Sequence, residues 1–228
     1  MKIAEIYKSI QGEGLLTGAP SVFVRTSGCN LRCWFCDTPY ASWAPEGQDY
    51  ALDEIIAAVE EWDCQSVVIT GGEPMLHAEL IPLCQRLRAA GRHVTIETAG
   101  TLHLPVECDL LSISPKFASS APDGEAHSHW RRRHLRERHK PAVLRRLLAD
   151  YQYQLKFVID SEQDIAEMRA FLVEFPQIDP RRVLLMPQGR TANEVAQRGE
   201  WIEPLCAAEG WTYCPRRQLE WFGPVRRT

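Results

Sequence analysis

Three cysteines fall within eight residues of this chain, as Cys29-x-x-x-Cys33-x-x-Cys36, while Cys64, Cys84, Cys108, Cys206 and Cys214 lie singly. The scattered five suit small apolar core positions. The clustered three do not, because Asn30, Arg32 and Asp37 are poor core neighbours. Clustered thiols in a reducing compartment point to metal or redox chemistry rather than disulfides. A structural zinc site ordinarily takes four protein ligands, often as paired Cys-x-x-Cys knuckles, and no second knuckle follows here. A four-iron cluster ordinarily takes four cysteines, so three would leave one iron open to a ligand. A zinc site completed by a distant His or Cys, in a binding module, is the competing reading.

Other residues carry weaker signals. In Gly71-Gly72-Glu73-Pro74, two glycines let backbone approach a ligand, and an acid or carbonyls can accept from an ammonium. A strand-to-helix turn with Pro at the first helical position looks the same. Gln11 and Glu13 sit in a Gly-rich turn, and Arg25 is a lone charge on an apolar run. Its planar fork suits a carboxylate. By default it is a snorkelling edge residue.

The elements that must position these residues alternate between β-rich runs and helical patterns. Strands are expected at 21–26, 66–70, 93–98, 110–114, 153–160, 182–187 and 211–214. Helices are expected at 52–62, at about 77–90 closed by Gly91, at 161–175 with Ser161 as N-cap and Asp164 in the first turn, and at about 191–208. This alternation implies an α/β chain with a mostly parallel sheet. An open doubly wound sheet and a partial (β/α) barrel both fit. In either, chemistry gathers at the carboxyl ends of strands. The cysteine run, TGGEP, ETAG, SPK and MPQG all follow strands and should converge on one rim.

Composition narrows the class. With 228 residues, 45% hydrophobic and 25% charged, the chain is an ordinary globular protein. No apolar run is long enough for a membrane helix, and MKIAEIYKSIQGEG lacks the order of a signal peptide, so a cytoplasmic location is expected. Residues 131–146 hold 8 of the 26 Lys and Arg with one acid, Glu137, while the other 212 residues carry 18 basic and 29 acidic side chains. That field does not favour nucleic acid, though it leaves a local basic strip.

Cys29 to Cys36 resembles the signature of the radical S-adenosylmethionine (SAM) superfamily. The resemblance implies a partial (β/α) barrel in one domain over 1–228, with a basic helical insertion at about 118–150. It implies that Cys29, Cys33 and Cys36 hold a [4Fe–4S] cluster, that the open iron chelates SAM, and that an electron cleaves SAM to a 5′-deoxyadenosyl radical. Phe35 would contact the adenine, and Gly71–Pro74 would meet the SAM ammonium.

Within the superfamily, Ser9-Ile10-Gln11-Gly12-Glu13-Gly14, Phe23-Val24-Arg25 and Cys36-Asp37-Thr38 resemble the 7-carboxy-7-deazaguanine synthases. The likeness continues through Glu97-Thr98-Ala99-Gly100, Ser114-Pro115-Lys116, Leu155-Lys156, Met186-Pro187-Gln188-Gly189 and Phe222-Gly223. It implies a lyase of queuosine biosynthesis that converts 6-carboxy-5,6,7,8-tetrahydropterin to 7-carboxy-7-deazaguanine with release of ammonia. Substrate contacts then fall on Ile10, Gln11, Gly12, Glu13, Arg25 and Thr70. SAM contacts fall on Phe35, Cys36, Asp37 and Gly72, on Glu97 at the ribose, on Ser114, Pro115 and Lys116, and on Met186, Pro187, Gln188 and Gly189. Thr38 is the implied Mg²⁺ ligand. Implied partners are a reducing protein such as flavodoxin and a second copy in a homodimer. A glycyl-radical-enzyme activase is the alternative within the same chemistry. The segment 118–150, with His127, His129, His134 and His139, is long compared with the shorter members of the family and reads as a solvated charged helix with an adjoining loop. The C-terminus keeps Phe222-Gly223 but ends differently from members whose terminal carboxylate helps bind substrate, so Thr228 is given no role.

Overall fold

A computed structural model describes residues 1–227; Thr228, set aside above, lies outside the described residues. The chain runs β1 (Lys2–Ile10), β2 (Pro20–Thr26), α1 (Pro39–Ser42), β3 (Gln48–Asp49), α2 (Leu52–Glu60), β4 (Ser66–Gly71), α3 (Leu80–Ala89), β5 (His93–Thr98) and β6 (Leu110–Ile113). It continues α4 (Ser128–Glu137), α5 (Pro141–Asp150), β7 (Tyr153–Ile159), α6 (Glu162–Glu174), β8 (Val183–Pro187), α7 (Ala192–Glu209), β9 (Thr212–Tyr213) and α8 (Arg217–Trp221).

The strands form one sheet in the order β3-β1-β2-β4-β5-β6-β7-β8-β9. Every neighbouring pair from β2 to β9 is parallel, whereas β1 is antiparallel to both β2 and β3. Parallel strands taken in chain order settle what periodicity left open. Crossovers that all step the same way, with the usual right hand, put their helices on one face. A doubly wound sheet reverses its order and covers both faces. This chain is therefore an open, partial (β/α) barrel.

Alternation along each strand separates the two faces. Val22 and Val24, Val67 and Ile69, Val94 and Ile96, Leu111 and Ile113, and Leu155 and Phe157 join the main core with helix residues such as Leu83, Leu147 and Phe171. The residues between them, Phe23 and Arg25, Thr70, Glu97, Ser112, Lys156 and Val158, line a cavity on the opposite face. Helix ends follow local chemistry. Asp164 accepts from the Ser161 N–H at 3.0 Å, and Gly91 closes α3 at φ +75°.

Two regions depart from the expected elements. The helix expected at about 77–90 is α3, which begins only at Leu80, with a 3₁₀ turn at Pro74–Leu76 ahead of it. The basic segment forms two helices, α4 and α5, rather than one helix and a loop. His134 is buried, where it bonds the Arg32 N–H and Ser120, while His139 faces Glu174.

Candidate active site

A cavity of about 250 Å³ opens along the inner face of the sheet. The loop after β2 supplies Cys29, Cys33, Phe35, Cys36, Asp37 and Thr38 to its wall. The ends of β4, β5, β6 and β8 add Gly72, Glu97, Ser114, Lys116, Met186 and Gln188. The turn after β1 adds Ile10, Gln11, Gly12 and Glu13, although Ile10 pairs with Pro20 at the start of β2. The cavity therefore takes its wall both from the loops beyond the carboxyl ends of the parallel strands and from the Gly-rich turn that follows β1. Pro115, Pro187 and Gly189 are not on the wall; Gly189 instead gives its carbonyl to Arg216 at 2.5 Å.

The cysteine loop is fixed by backbone. Gly28 N–H donates to Ala41 O at 2.8 Å, Glu73 N–H to Gly28 O at 2.8 Å, and Trp43 Nε1 to Cys33 O at 3.0 Å. Gly72 is required by close approach: a Cβ there would lie 2.0 Å from Gly28 O and 2.6 Å from Ala41 O. Glu73 is 0% exposed, and its carboxylate accepts from Met75 N–H, Thr98 Oγ1 and Ala99 N–H. It joins the ends of β4 and β5. Those bonds occupy the acid that the sequence offered to an ammonium.

All three thiols line the one cavity and none is in a disulfide. Burial, with the Glu73 carboxylate adding to it, pushes Cys29 up to about 12, and burial pushes Cys33 up to about 11. Thiols so placed are poor nucleophiles and ionise only when a metal supplies positive charge. The donor set fits a multi-iron cluster. Among the described residues no three of His, Cys, Asp and Glu gather where a single metal ion could sit. Thr38 sits at the N-cap of α1 but makes no capping bond, and its hydroxyl lies 3.8 Å from Cys36 Sγ. That hydroxyl is available to a hard cation.

The inner face carries a chain of ion pairs. Lys156, 5% exposed, contacts Glu13 Oε2 at 2.5 Å and Glu97 Oε1 at 3.5 Å. Glu13 also accepts from Arg216 Nε at 3.0 Å and Gln218 Nε2 at 2.6 Å, and Arg216 pairs with Asp37. Burial opposes the Glu13 charge, but Lys156 and Arg216 outweigh it and hold the carboxyl well below the usual range. Lys156 is likewise opposed by burial and held charged by Glu13 and Glu97. Glu97 also accepts from Thr70 Oγ1 at 2.8 Å and Gln11 Nε2 at 3.4 Å. It thus bonds two of the residues assigned to substrate, while Ser114 and Lys116 bond each other at 2.7 Å.

Arg25 is anchored from behind. Its Nε donates to Glu5 Oε1 at 2.8 Å and its Nη2 to Tyr7 Oη at 2.9 Å, while Tyr7 stacks on Phe23 with centroids 5.2 Å apart. Tyr7, Phe23, Lys156, Arg216 and Gln218 all line the cavity without having been assigned from sequence. A lysine inside the apolar run YQLKFVI was the available clue to Lys156. Arg216 and Gln218 sit far along the chain, shortly before Phe222-Gly223, and belong to none of the matched motifs.

The radical SAM superfamily model matches residues 23–145. The 7-carboxy-7-deazaguanine synthase of Rhodopirellula baltica is 44% identical over 227 residues, covering 99% of this chain and 88% of that one. Its counterpart from Halobacterium salinarum is 44% identical over 238 residues, covering 100% and 93%. The crystal structure of QueE from Escherichia coli shares the fold, with a TM-score of 0.71 at 24% identity over 94% of this chain and 92% of that one.

Proposed function

The chain belongs to the radical SAM superfamily and, within it, to the 7-carboxy-7-deazaguanine synthases, and on that premise we propose how its residues share the conversion of 6-carboxy-5,6,7,8-tetrahydropterin to 7-carboxy-7-deazaguanine and ammonia. Bound together, the [4Fe–4S] cluster and SAM would supply the one-electron radical chemistry that the conversion needs. The relatives' name disfavours the glycyl-radical activase alternative.

Cys29, Cys33 and Cys36 hold the cluster. Gly72, Phe35, Asp37, Ser114, Lys116, Met186 and Gln188 border SAM, with Pro115, Pro187 and Gly189 shaping the turns that carry them. Arg25 binds the pterin carboxylate: Glu5 and Tyr7 occupy its Nε and Nη2, leaving Nη1 without a partner among the described residues. The stacked Tyr7 and Phe23 give a flat ring an apolar wall. Gln11, Thr70, Glu97 and Lys156 present donors and acceptors to its amide and amine edges, with the backbone of Ile10 and Gly12 beside them. Glu13 orders Lys156, Arg216 and Gln218 around the ring. Thr38 would give its hydroxyl to Mg²⁺, whose charge would help to orient the substrate carboxylate.

The observation that carries this reading is the strand alternation that brings Arg25, Thr70, Glu97 and Lys156 into the cavity of the three cysteines. A reducing protein of the flavodoxin kind, homodimeric assembly and a cytoplasmic location belong to the same proposal. Ammonia release that requires both SAM and the pterin tests it. Ammonia formed without either would contradict it.

A further inference from the structure

The cluster reading requires an electron delivered from outside, and a second hollow lies on the far side of the cysteine loop. It measures about 470 Å³ and is walled by Arg132, Arg133, Arg136 and Glu137 of α4, the last two paired at 2.7 Å, by Asn30 of the loop and by Leu76. Consecutive residues separate the two cavities: Leu31 lines the inner one and Asn30 the outer.

Asn30 is 8% exposed; its Nδ2 donates to Thr101 Oγ1 at 2.9 Å, but its Oδ1 has no partner. Helix α4 is clamped to the loop. His134 Nδ1 accepts from Arg32 N–H at 3.2 Å, and the Arg32 guanidinium lies 4.0 Å over Trp130. The same guanidinium donates to Cys29 O and Leu31 O at 2.7 Å each. The path from the α4 surface to Cys29 is therefore packed and hydrogen-bonded.

Charge indicates what docks there. Arg132 and Arg133 have no acidic partner among the described residues, and Leu76 is 45% exposed beside them. The rest of the chain carries 29 acidic against 18 basic side chains outside 131–146. An extended polyanion would be repelled beyond the strip, whereas a compact partner with one acidic face is steered to it.

We propose that the hollow between α4 and Asn30 is the docking surface for a single-electron carrier protein with an acidic face. The proposal rests on the cluster reading above. One electron leaves the carrier, which is oxidised by one unit, and the cluster held by Cys29, Cys33 and Cys36 is reduced by one; no bond forms or breaks.

The test uses reconstituted holoenzyme and an acidic flavodoxin. Calorimetric titration with oxidised flavodoxin reads docking, stopped-flow mixing with its hydroquinone reads electron transfer, and dithionite-driven turnover reads the intact centre. Arg132→Glu/Arg133→Glu/Arg136→Glu should weaken binding and slow reduction by about tenfold or more at low salt, and flatten their salt dependence, with dithionite-driven turnover retained. Arg132→Gln/Arg133→Gln should give a smaller loss in the same direction. Arg86→Glu/Arg169→Glu/Arg181→Glu, on other surfaces, should behave as the parent. Unchanged flavodoxin binding and reduction in the α4 variants would overturn the proposal. So would variants that lose salt-sensitive binding of a transfer RNA but keep flavodoxin reduction. Absence of dithionite-driven turnover in the parent would count against the synthase reading instead, while the titration still reads docking.

Discussion

Glu5 and Arg25 face each other directly across the β1–β2 ladder, and the Arg25 Nε donates to Glu5 Oε1 at 2.8 Å. The Glu5 side chain is fully buried and also accepts from Tyr40 and Arg226. Burial raises its pKa, but bonds from Arg226, Arg25 and Tyr40 outweigh that and hold it below the ordinary value. The acid is thus kept charged behind a guanidinium aimed at substrate.

Glu5→Gln keeps the shape and removes the charge. A charge-assisted bond is worth about 1.5–3 kcal/mol, so KM for the pterin should rise by roughly tenfold to a hundredfold. Dependence on SAM should stay unchanged, because none of the residues assigned to SAM bonds to Glu5. Steady-state kinetics check it; a fall in kcat with KM unaltered would contradict the positioning role.

Gly72→Ala drives a methyl into Gly28 O and Ala41 O, both backbone atoms of the cysteine loop region. The backbone cannot yield as a flexible side chain would. The variant should fold, since the main core lies on the other face of the sheet, but reconstitute less iron and bind SAM at least about tenfold more weakly. Iron content per chain and equilibrium dialysis with SAM measure both; normal values for each would refute the close-packing account.

Much of the site was legible because its motifs follow strands that announce themselves as short apolar runs. SVVIT, HVTIET and LLSIS are buried on one face by Val, Ile and Leu, and the polar residue of each run turns to the cavity. Strand β1 escaped notice because KIAEIYKSI mixes charges into its alternation, and Glu5 points inward where an apolar residue is expected. The Glu13 network was hidden for a different reason. Lys156 and Arg216 lie 143 and 203 residues from Glu13, so their pairing exists only after the sheet has formed. His127, His129, His134 and His139 looked alike in sequence, and only tertiary packing singles out His134 as the tie between α4 and the cysteine loop.

Thr38→Ala removes a hydroxyl that makes no helix-capping bond. Cluster content should be retained, while stimulation of turnover by Mg²⁺ is lost. Titration of activity with Mg²⁺, alongside iron analysis, reads the two separately. Full metal dependence in the variant would sink the assignment of Thr38.

His134 supplies a pH dependence. Burial, reinforced by Lys116 and Arg138, lowers its pKa from 6.5 to about 4. Between those values the unfolded chain binds a proton that the folded chain refuses, so its contribution is complete above about pH 6.5 and declines as pH falls towards 4. Denaturant melts of the cluster-free chain at pH 7.5 and pH 5 should show that decline, and His134→Gln should make it shallower. An equal decline in the variant would place the effect elsewhere.

The most direct measurement is an anaerobic reaction of the reconstituted chain with SAM, a reductant, Mg²⁺ and 6-carboxy-5,6,7,8-tetrahydropterin, followed by mass spectrometry. The account predicts 7-carboxy-7-deazaguanine, absent when SAM or the pterin is omitted. Production of 5′-deoxyadenosine independent of the pterin, with no deazaguanine formed, would contradict it.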